Sequence, residues 1–256
     1  MNGLATSLRA LTVAFTVTGA GPAFAADPPT GAGGPRPVET ELQGIADASA
    51  RKASPAMAEA TRKGIEEVAA SGVLKTALNV GATIPAFTLP DANGVRVSSS
   101  DLLARGPLVI VFYRGAWCPY CNVYLHRWQE RLPQLRERNA TLVAISGESP
   151  DGSAKVAQKT EATFAVLSDV KYAVSRQFGV IYEVPRGVTE AMKTRGLDFK
   201  GYYGTETAEL PLSATYVVGR DGKIVYAFLD ADYRKRAEPS DVLAALDRLG
   251  QPQSTR

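Results

Sequence analysis

Apolar or aromatic side chains recur at Leu125, Trp128, Leu132 and Leu135, and the same stripe reaches back to Cys121. The gaps are four, three, four and three, which is one face of an α-helix. The spacing predicts a helix from Pro119 to roughly Arg138, with Pro133 expected to kink it or end it near Leu132. Just before it, "PLVIVFY" (Pro107 to Tyr113) is an unbroken apolar run rich in β-branched residues, the signature of a buried central strand. "ATLVAIS" (Ala140 to Ser146) predicts a second buried strand and "ATFAVLSD" a third. Helices are predicted from Pro150 to about Thr160 and over "VKYAVSRQFG", ending at Gly179. Alternating strands and helices imply parallel pairing with right-handed crossovers.

The flanks complete a mixed sheet. "AFTL" and "VRVS" around "DANG" predict a hairpin, followed by a capped helical turn at "SSSDLL". "SATYVVGRDGKIVYAFLD" predicts two antiparallel strands with Asp-Gly at their turn. "EPSDVLAALDRLG" predicts a last helix with Pro239 near its start and Gly250 past its end. Residues 180–212 interrupt the alternation and predict an insertion with one short helix over the active site. Upstream, residues 41–80 read as a helical extension packed on the main domain, with no chemistry of its own. The fold class is therefore α/β: a central mixed β-sheet with helices on both faces, spanning residues 81–250, plus an N-terminal helical extension.

Composition adds compartment and excludes some partners. The chain has 256 residues, 45% hydrophobic, and a net charge of +3. Its basic residues alternate with acids, as in "RKGIEE" and "LRERNA", which describes solvated helix faces and not a nucleic-acid footprint. Arg9 precedes the apolar run "ALTVAFTVTGAG", and small residues follow at Ala23 and Ala25. This is the order of a secretory signal over residues 1–25, cleaved after Ala25, giving an exported, periplasmic or otherwise extracytoplasmic protein with no membrane insertion. Residues 26–40, rich in Pro and Gly, read as a disordered leader, and residues 251–256 as a disordered tail.

The candidate chemistry lies in "FYRGAWCPYCNVYLHRW", which holds the only two cysteines, Cys118 and Cys121. A bridge between them closes too small a loop to be a useful staple, so it points to chemistry. A zinc clip needs four ligands, and the only histidine, His126, lies on the same helix and reads as a half-exposed surface residue. No cofactor or metal is called for. Cys118 falls at the helix N-cap with Pro119 in the first turn, so helix N–H groups are expected to lower its pKa and leave it the more accessible sulfur. Arg114 is placed to add to this. Tyr113, Trp117 and Tyr120 either form an apolar collar or are packing residues. Glu148, after the second strand, reads as a solvated loop carboxylate.

From about Gly81 to Leu249 the sequence resembles the thioredoxin superfamily, and within it the AhpC/TSA peroxiredoxin-like proteins. The resemblance is carried by "VGATIPAFTLPDANG", "VIVFYRGAWCPYC", "LVAISGESPD", "FAVLSD" and "ATYVVGRDGKI". It implies a thioredoxin-like fold and a redox disulfide between Cys118 and Cys121. In the peroxiredoxin pattern P-x-x-x-T-x-x-C, Cys121 takes the peroxide-attacking position, Cys118 the Thr position and Arg114 the Pro position. Ser213 stands where a distant arginine is expected. In the thioredoxin pattern Cys118 is the nucleophile and Cys121 resolves it, and Ser213 stands where a cis-proline is expected, with Pro211 two residues earlier. The two templates leave open which cysteine attacks first. The resemblance implies a peroxide substrate and a thioredoxin-like or membrane-relayed dithiol donor. Three functions follow: an exported thiol peroxidase, a thiol–disulfide oxidoreductase acting on protein cysteines, and a redox-sensing module. The "ISGESPD" to "FAVLSD" segment places the peroxidase first.

Overall fold

A computed structural model describes residues 37–250 apart from 195, 198 and 204–207. The predicted signal, residues 26–36 of the leader and the C-terminal tail lie outside the described residues. The chain runs α1 (Val38–Lys52), α2 (Pro55–Ala70), α3 (Val73–Thr76), β1 (Thr88–Pro90), β2 (Arg96–Ser98), α4 (Ser99–Arg105), β3 (Leu108–Phe112), α5 (Pro119–Glu137) and β4 (Thr141–Ser146). It continues through α6 (Pro150–Thr160), β5 (Ala165–Ser168), α7 (Ala173–Gln177), β6 (Ile181–Glu183), α8 (Arg186–Lys193), α9 (Phe199–Tyr203), β7 (Glu209–Pro211), β8 (Thr215–Val218), β9 (Ile224–Phe228) and α10 (Pro239–Leu249).

The central sheet has the order β5-β4-β3-β8-β9. β3 pairs parallel with β4 and antiparallel with β8, so the longest apolar run is central, as its composition demands. Alternation along β3 divides the core in two. Leu108, Ile110 and Phe112 face the side covered by α3, α7 and the insertion, while Val109 and Val111 face α1, α5 and α10. Cys118, Cys121 and Trp128 belong to the second cluster. Trp128 is fully buried, and its truncation to Ala would cost about 3–5 kcal/mol.

Three features depart from the sequence reading. Helix α5 runs through Pro133 to Glu137, so the proline neither ends it nor divides it. Burial of Leu132 and Leu135 on either side of Pro133 secures the final turn against the core. Helix α1 begins at Val38, inside the stretch assigned to the leader. Val38 and Leu42, one turn apart, are buried, and the Glu238 carboxylate accepts from the Val38 and Glu39 N–H groups at 3.0 and 2.7 Å. That anion satisfies two otherwise orphaned donors at the positive end of the helix. The insertion contains α8, α9 and an antiparallel β6–β7 pair in place of one helix.

Candidate active site

Strand β3 delivers the chain into "RGAW", and the loop is fixed at every residue. Tyr203 of α9 donates to the Arg114 carbonyl at 2.5 Å and accepts from the Trp117 indole at 2.6 Å. The Ala116 N–H donates to Glu148 at 3.0 Å, and the Cys118 N–H closes the turn on Gly115 O at 3.0 Å. Gly115 has φ +155°, and a Cβ there would stand 2.6 Å from the Trp117 indole nitrogen and 2.7 Å from the Tyr203 hydroxyl. Only glycine fits that approach. Pro119 then opens α5, with Cys118 as its N-cap.

Both cysteines are free and 1% exposed. Cys118 is therefore not the accessible sulfur that its place off the apolar stripe suggested. The extension and the insertion both line the cavity at the helix tip; the insertion was expected over the site, the extension was not. Cys121 leans back over the first turn, as helical side chains do. Its Sγ accepts from the Arg114 N–H at 3.4 Å and from Arg236 Nη2 at 3.3 Å. Burial opposes its ionisation, but a hydrogen bond from the Cys118 thiol, the Arg236 charge and the Arg114 amide and charge prevail, holding Cys121 well below the usual thiol range.

Cys118 shifts the other way. Burial, its hydrogen bond to Cys121 and the negative charge there raise it well above the usual range, against the pull of Arg114 and Arg236. The predicted depression fails because the Cys118 side chain makes no capping hydrogen bond with the helix N–H groups. One proton is thus shared by two sulfurs and rests on Cys118.

The predicted neighbours sort into two groups. Arg114, 2% exposed, lies between the Trp117 and Tyr233 rings at 4.7 and 4.0 Å, with Nη1 4.0 Å from Cys118 Sγ. Arg114, Trp117, Pro119 and Tyr120 line a cavity of about 620 Å³ that reaches Cys118. Tyr113 is not part of that collar: it is buried, with its hydroxyl 3.4 Å from Glu148, and burial raises its pKa. Ser213 is buried with its Oγ unpartnered, so it makes no hydrogen bond to either sulfur. Glu148 is not a solvated loop carboxylate. It is 1% exposed, holds the Ala116 N–H, and burial raises its pKa. His126 is half-exposed, beside Glu130 at 3.8 Å. Among the described residues no group of three or more His, Cys, Asp or Glu converges as a metal site.

Sequence reasoning missed Arg236 and Tyr203. Arg236 lies 115 residues beyond Cys121, in the cationic stretch "YRKRA", where spacing does not distinguish it from Arg234 or Lys235. Its fold-determined signal is burial to 7% exposure. Tyr203 lies in the insertion, where spacing assigns it no partner.

The AhpC/TSA family model matches residues 80–227. A putative peroxiredoxin of Mycobacterium tuberculosis is 32% identical over 152 residues, covering 59% of this chain and 85% of the relative. Peroxiredoxin Bcp of Escherichia coli is 28% identical over 153 residues, covering 60% and 86%. The crystal structure of peroxidoxin BcpB from M. tuberculosis superposes with a TM-score of 0.53 at 25% identity, over 67% of this chain and 98% of that one. The chain belongs to the AhpC/TSA family, has its thioredoxin-like fold, and is a peroxiredoxin-like thiol peroxidase. Helices α1 to α3 and Arg236 fall outside the matched segment.

Proposed function

We propose that Cys121 attacks the peroxide and Cys118 resolves it, in an exported enzyme reducing hydrogen peroxide or organic hydroperoxides. The observation that carries this reading is the set of donors on Cys121 Sγ: Arg236 Nη2 at 3.3 Å, Arg114 N–H at 3.4 Å and the Cys118 thiol. The Cys121 thiolate attacks the terminal peroxide oxygen. The O–O bond breaks, Cys121 becomes a sulfenic acid, and the departing alkoxide or hydroxide takes the Cys118 proton. The Cys118 thiolate then attacks the sulfenic sulfur, expelling hydroxide, which solvent protonates to water. A Cys118–Cys121 disulfide remains. Cys118 is the N-cap of α5 and Cys121 lies in its first turn, so the bridge would close within one helix turn.

The test is single-turnover peroxide consumption by Cys118→Ser and Cys121→Ser, with a sulfenic-acid trap mapped by mass spectrometry. Trapping on Cys121 in Cys118→Ser, with no consumption above free cysteine in Cys121→Ser, is expected. Trapping on Cys118 in Cys121→Ser would reverse the assignment.

A second reading, thiol–disulfide exchange with protein cysteines, is favoured by one observation: Cys118, and not Cys121, lines the cavity. Rapid exchange with a protein disulfide and no peroxide turnover would select it. For the peroxidase, the electron donor is a thioredoxin-like dithiol, relayed across the membrane because export separates the enzyme from cytoplasmic reductants. Export rests on the charged, apolar and small-residue order of the first 25 residues. A secreted form beginning at Ala26 is expected on N-terminal sequencing, and a chain retaining Met1 in the cytoplasm would contradict it.

A further inference from the structure

Glu148 is 1% exposed and stands between β4 and α6, just before the Ser149 N-cap. Burying a carboxylate is unfavourable unless donors replace its water, and both oxygens of this one turn to the loop between β3 and α5. Oε1 accepts from the Ala116 N–H at 3.0 Å, and Oε2 accepts from the Tyr113 hydroxyl at a longer 3.4 Å. The Ala116 peptide is held from its other side as well, its carbonyl accepting from Asn122 Nδ2 at 2.9 Å and Lys159 Nζ at 3.4 Å. The fold makes room for the carboxylate. Gly152 lies in the first turn of α6, and a Cβ there would stand 2.8 Å from Glu148 Cβ. Glycine inside a helix is unfavourable relative to alanine, and here it admits the stem of Glu148.

The two gripped residues, Tyr113 and Ala116, straddle Arg114, whose N–H donates to Cys121 Sγ at 3.4 Å. The Arg114 carbonyl is tied separately, to the Tyr203 hydroxyl. An amide between anchored neighbours keeps its aim, and a desolvated thiolate depends on donors that are already aimed. The titratable groups that face Glu148 are Lys155 of α6, Tyr113, Tyr172, Tyr203 and Cys121 itself. Carboxylate and thiolate carry the same sign of charge, so through space Glu148 works against the Cys121 anion. Its favourable contribution is therefore geometric.

We infer that Glu148 is a positioning residue for the Cys121 thiolate: its grip on Tyr113 and Ala116 holds the intervening Arg114 amide in line with the sulfur. The inference rests on Cys121 being the attacking sulfur. Two properties of this side chain, reach and charge, are separable by substitution. Aspartate keeps the charge but falls one methylene short of holding both partners. Glutamine loses the charge but keeps the reach, with Oε1 on the Ala116 N–H and Nε2 donating to the Tyr113 oxygen.

The experiment compares the full chain with Glu148→Asp and Glu148→Gln, all reduced. It reads iodoacetamide labelling of Cys121 across pH, single-turnover consumption of hydrogen peroxide, and thermal unfolding. Glu148→Asp should move the Cys121 labelling profile up by about half to one pH unit. It should slow peroxide consumption at neutral pH by about three- to tenfold, with the deficit closing as pH rises. Glu148→Gln should recover most of that loss, with a labelling profile at or below the parent's. Impairment in Glu148→Gln but not in Glu148→Asp would make charge the operative property and overturn the inference. So would a Cys121 profile that is unmoved, or moved equally, in both variants, whatever the unfolding midpoints do, because a purely structural carboxylate does not tell reach from charge at the sulfur. If the Cys121 profile moves as expected in a protein that consumes no peroxide, the positioning role stands and the peroxidase reading falls.

Discussion

The first turn of α5 has two sides that differ in almost everything except burial. On the core side, Cys121 receives an amide, a guanidinium and a thiol. On the cavity side, Cys118 has no capping N–H, and its nearest cation, Arg114, is spread between two aromatic rings 4.0 Å from the sulfur. Both sulfurs are 1% exposed. Neither exposure nor the helix dipole therefore decides which one ionises. What decides it is the number and direction of donors that survive burial, because desolvation penalises a thiolate unless specific hydrogen bonds replace water.

The strongest way to break the asymmetry is to remove Arg236. A hydrogen bond to a charged group contributes about 1.5–3 kcal/mol, so Arg236→Gln should slow peroxide consumption at neutral pH by about ten- to a hundredfold. Because the loss is one of ionisation, the rate should recover as pH rises into the ordinary thiol range. A stopped-flow pH series checks this, and a deficit constant across pH would assign Arg236 to substrate binding only.

Next in size is the clamp on the loop that carries the Arg114 amide. Tyr203→Phe leaves the Arg114 carbonyl and the Trp117 indole without their partner. A loss of about 1–3 kcal/mol in denaturant stability is expected, with a rise in the Cys121 pKa as the loop loosens. An unchanged unfolding midpoint would show that the insertion merely rests on the site.

The smallest effect tests the reach of the extension. Arg127 on α5 pairs with Glu41 on α1 at 2.7 Å, both half-buried. Arg127→Met should cost about 1 kcal/mol or less and leave the core side of the turn untouched. A large change in thiolate reactivity would mean that α1 tunes the sulfur as well as walling the cavity.

The same asymmetry separates what the sequence disclosed from what it did not. The strand "LVIVF", the 121–125–128–132–135 stripe and Pro119 located both cysteines on the correct helix turn, because periodicity and capping are local. Helix boundaries were also local, apart from Pro133, where burial of Leu132 and Leu135 overrode the breaker, and the start of α1, which the distant Glu238 carboxylate holds. The order of the two pKa values was not local. It depends on Arg236, brought in by the loop before α10, and on a cap that Cys118 does not make. Glu148 shows the same effect: a carboxylate in a turn-like "SGESPD" is ordinarily solvated, yet β4 ends here under α6 and the Tyr113 ring. The extension held no motif, and its part in the cavity follows only from where α1 and α2 land.

The central claim is that the shared proton rests on Cys118 and the charge on Cys121. The direct measurement is alkylation of the reduced protein by iodoacetamide across pH, with the label at each cysteine counted separately by mass spectrometry. Cys121 should react first, at a rate that stays level well below the usual thiol range, while Cys118 becomes reactive only in alkali. Labelling that begins on Cys118 at neutral pH, with Cys121 following only in alkali, would contradict the account.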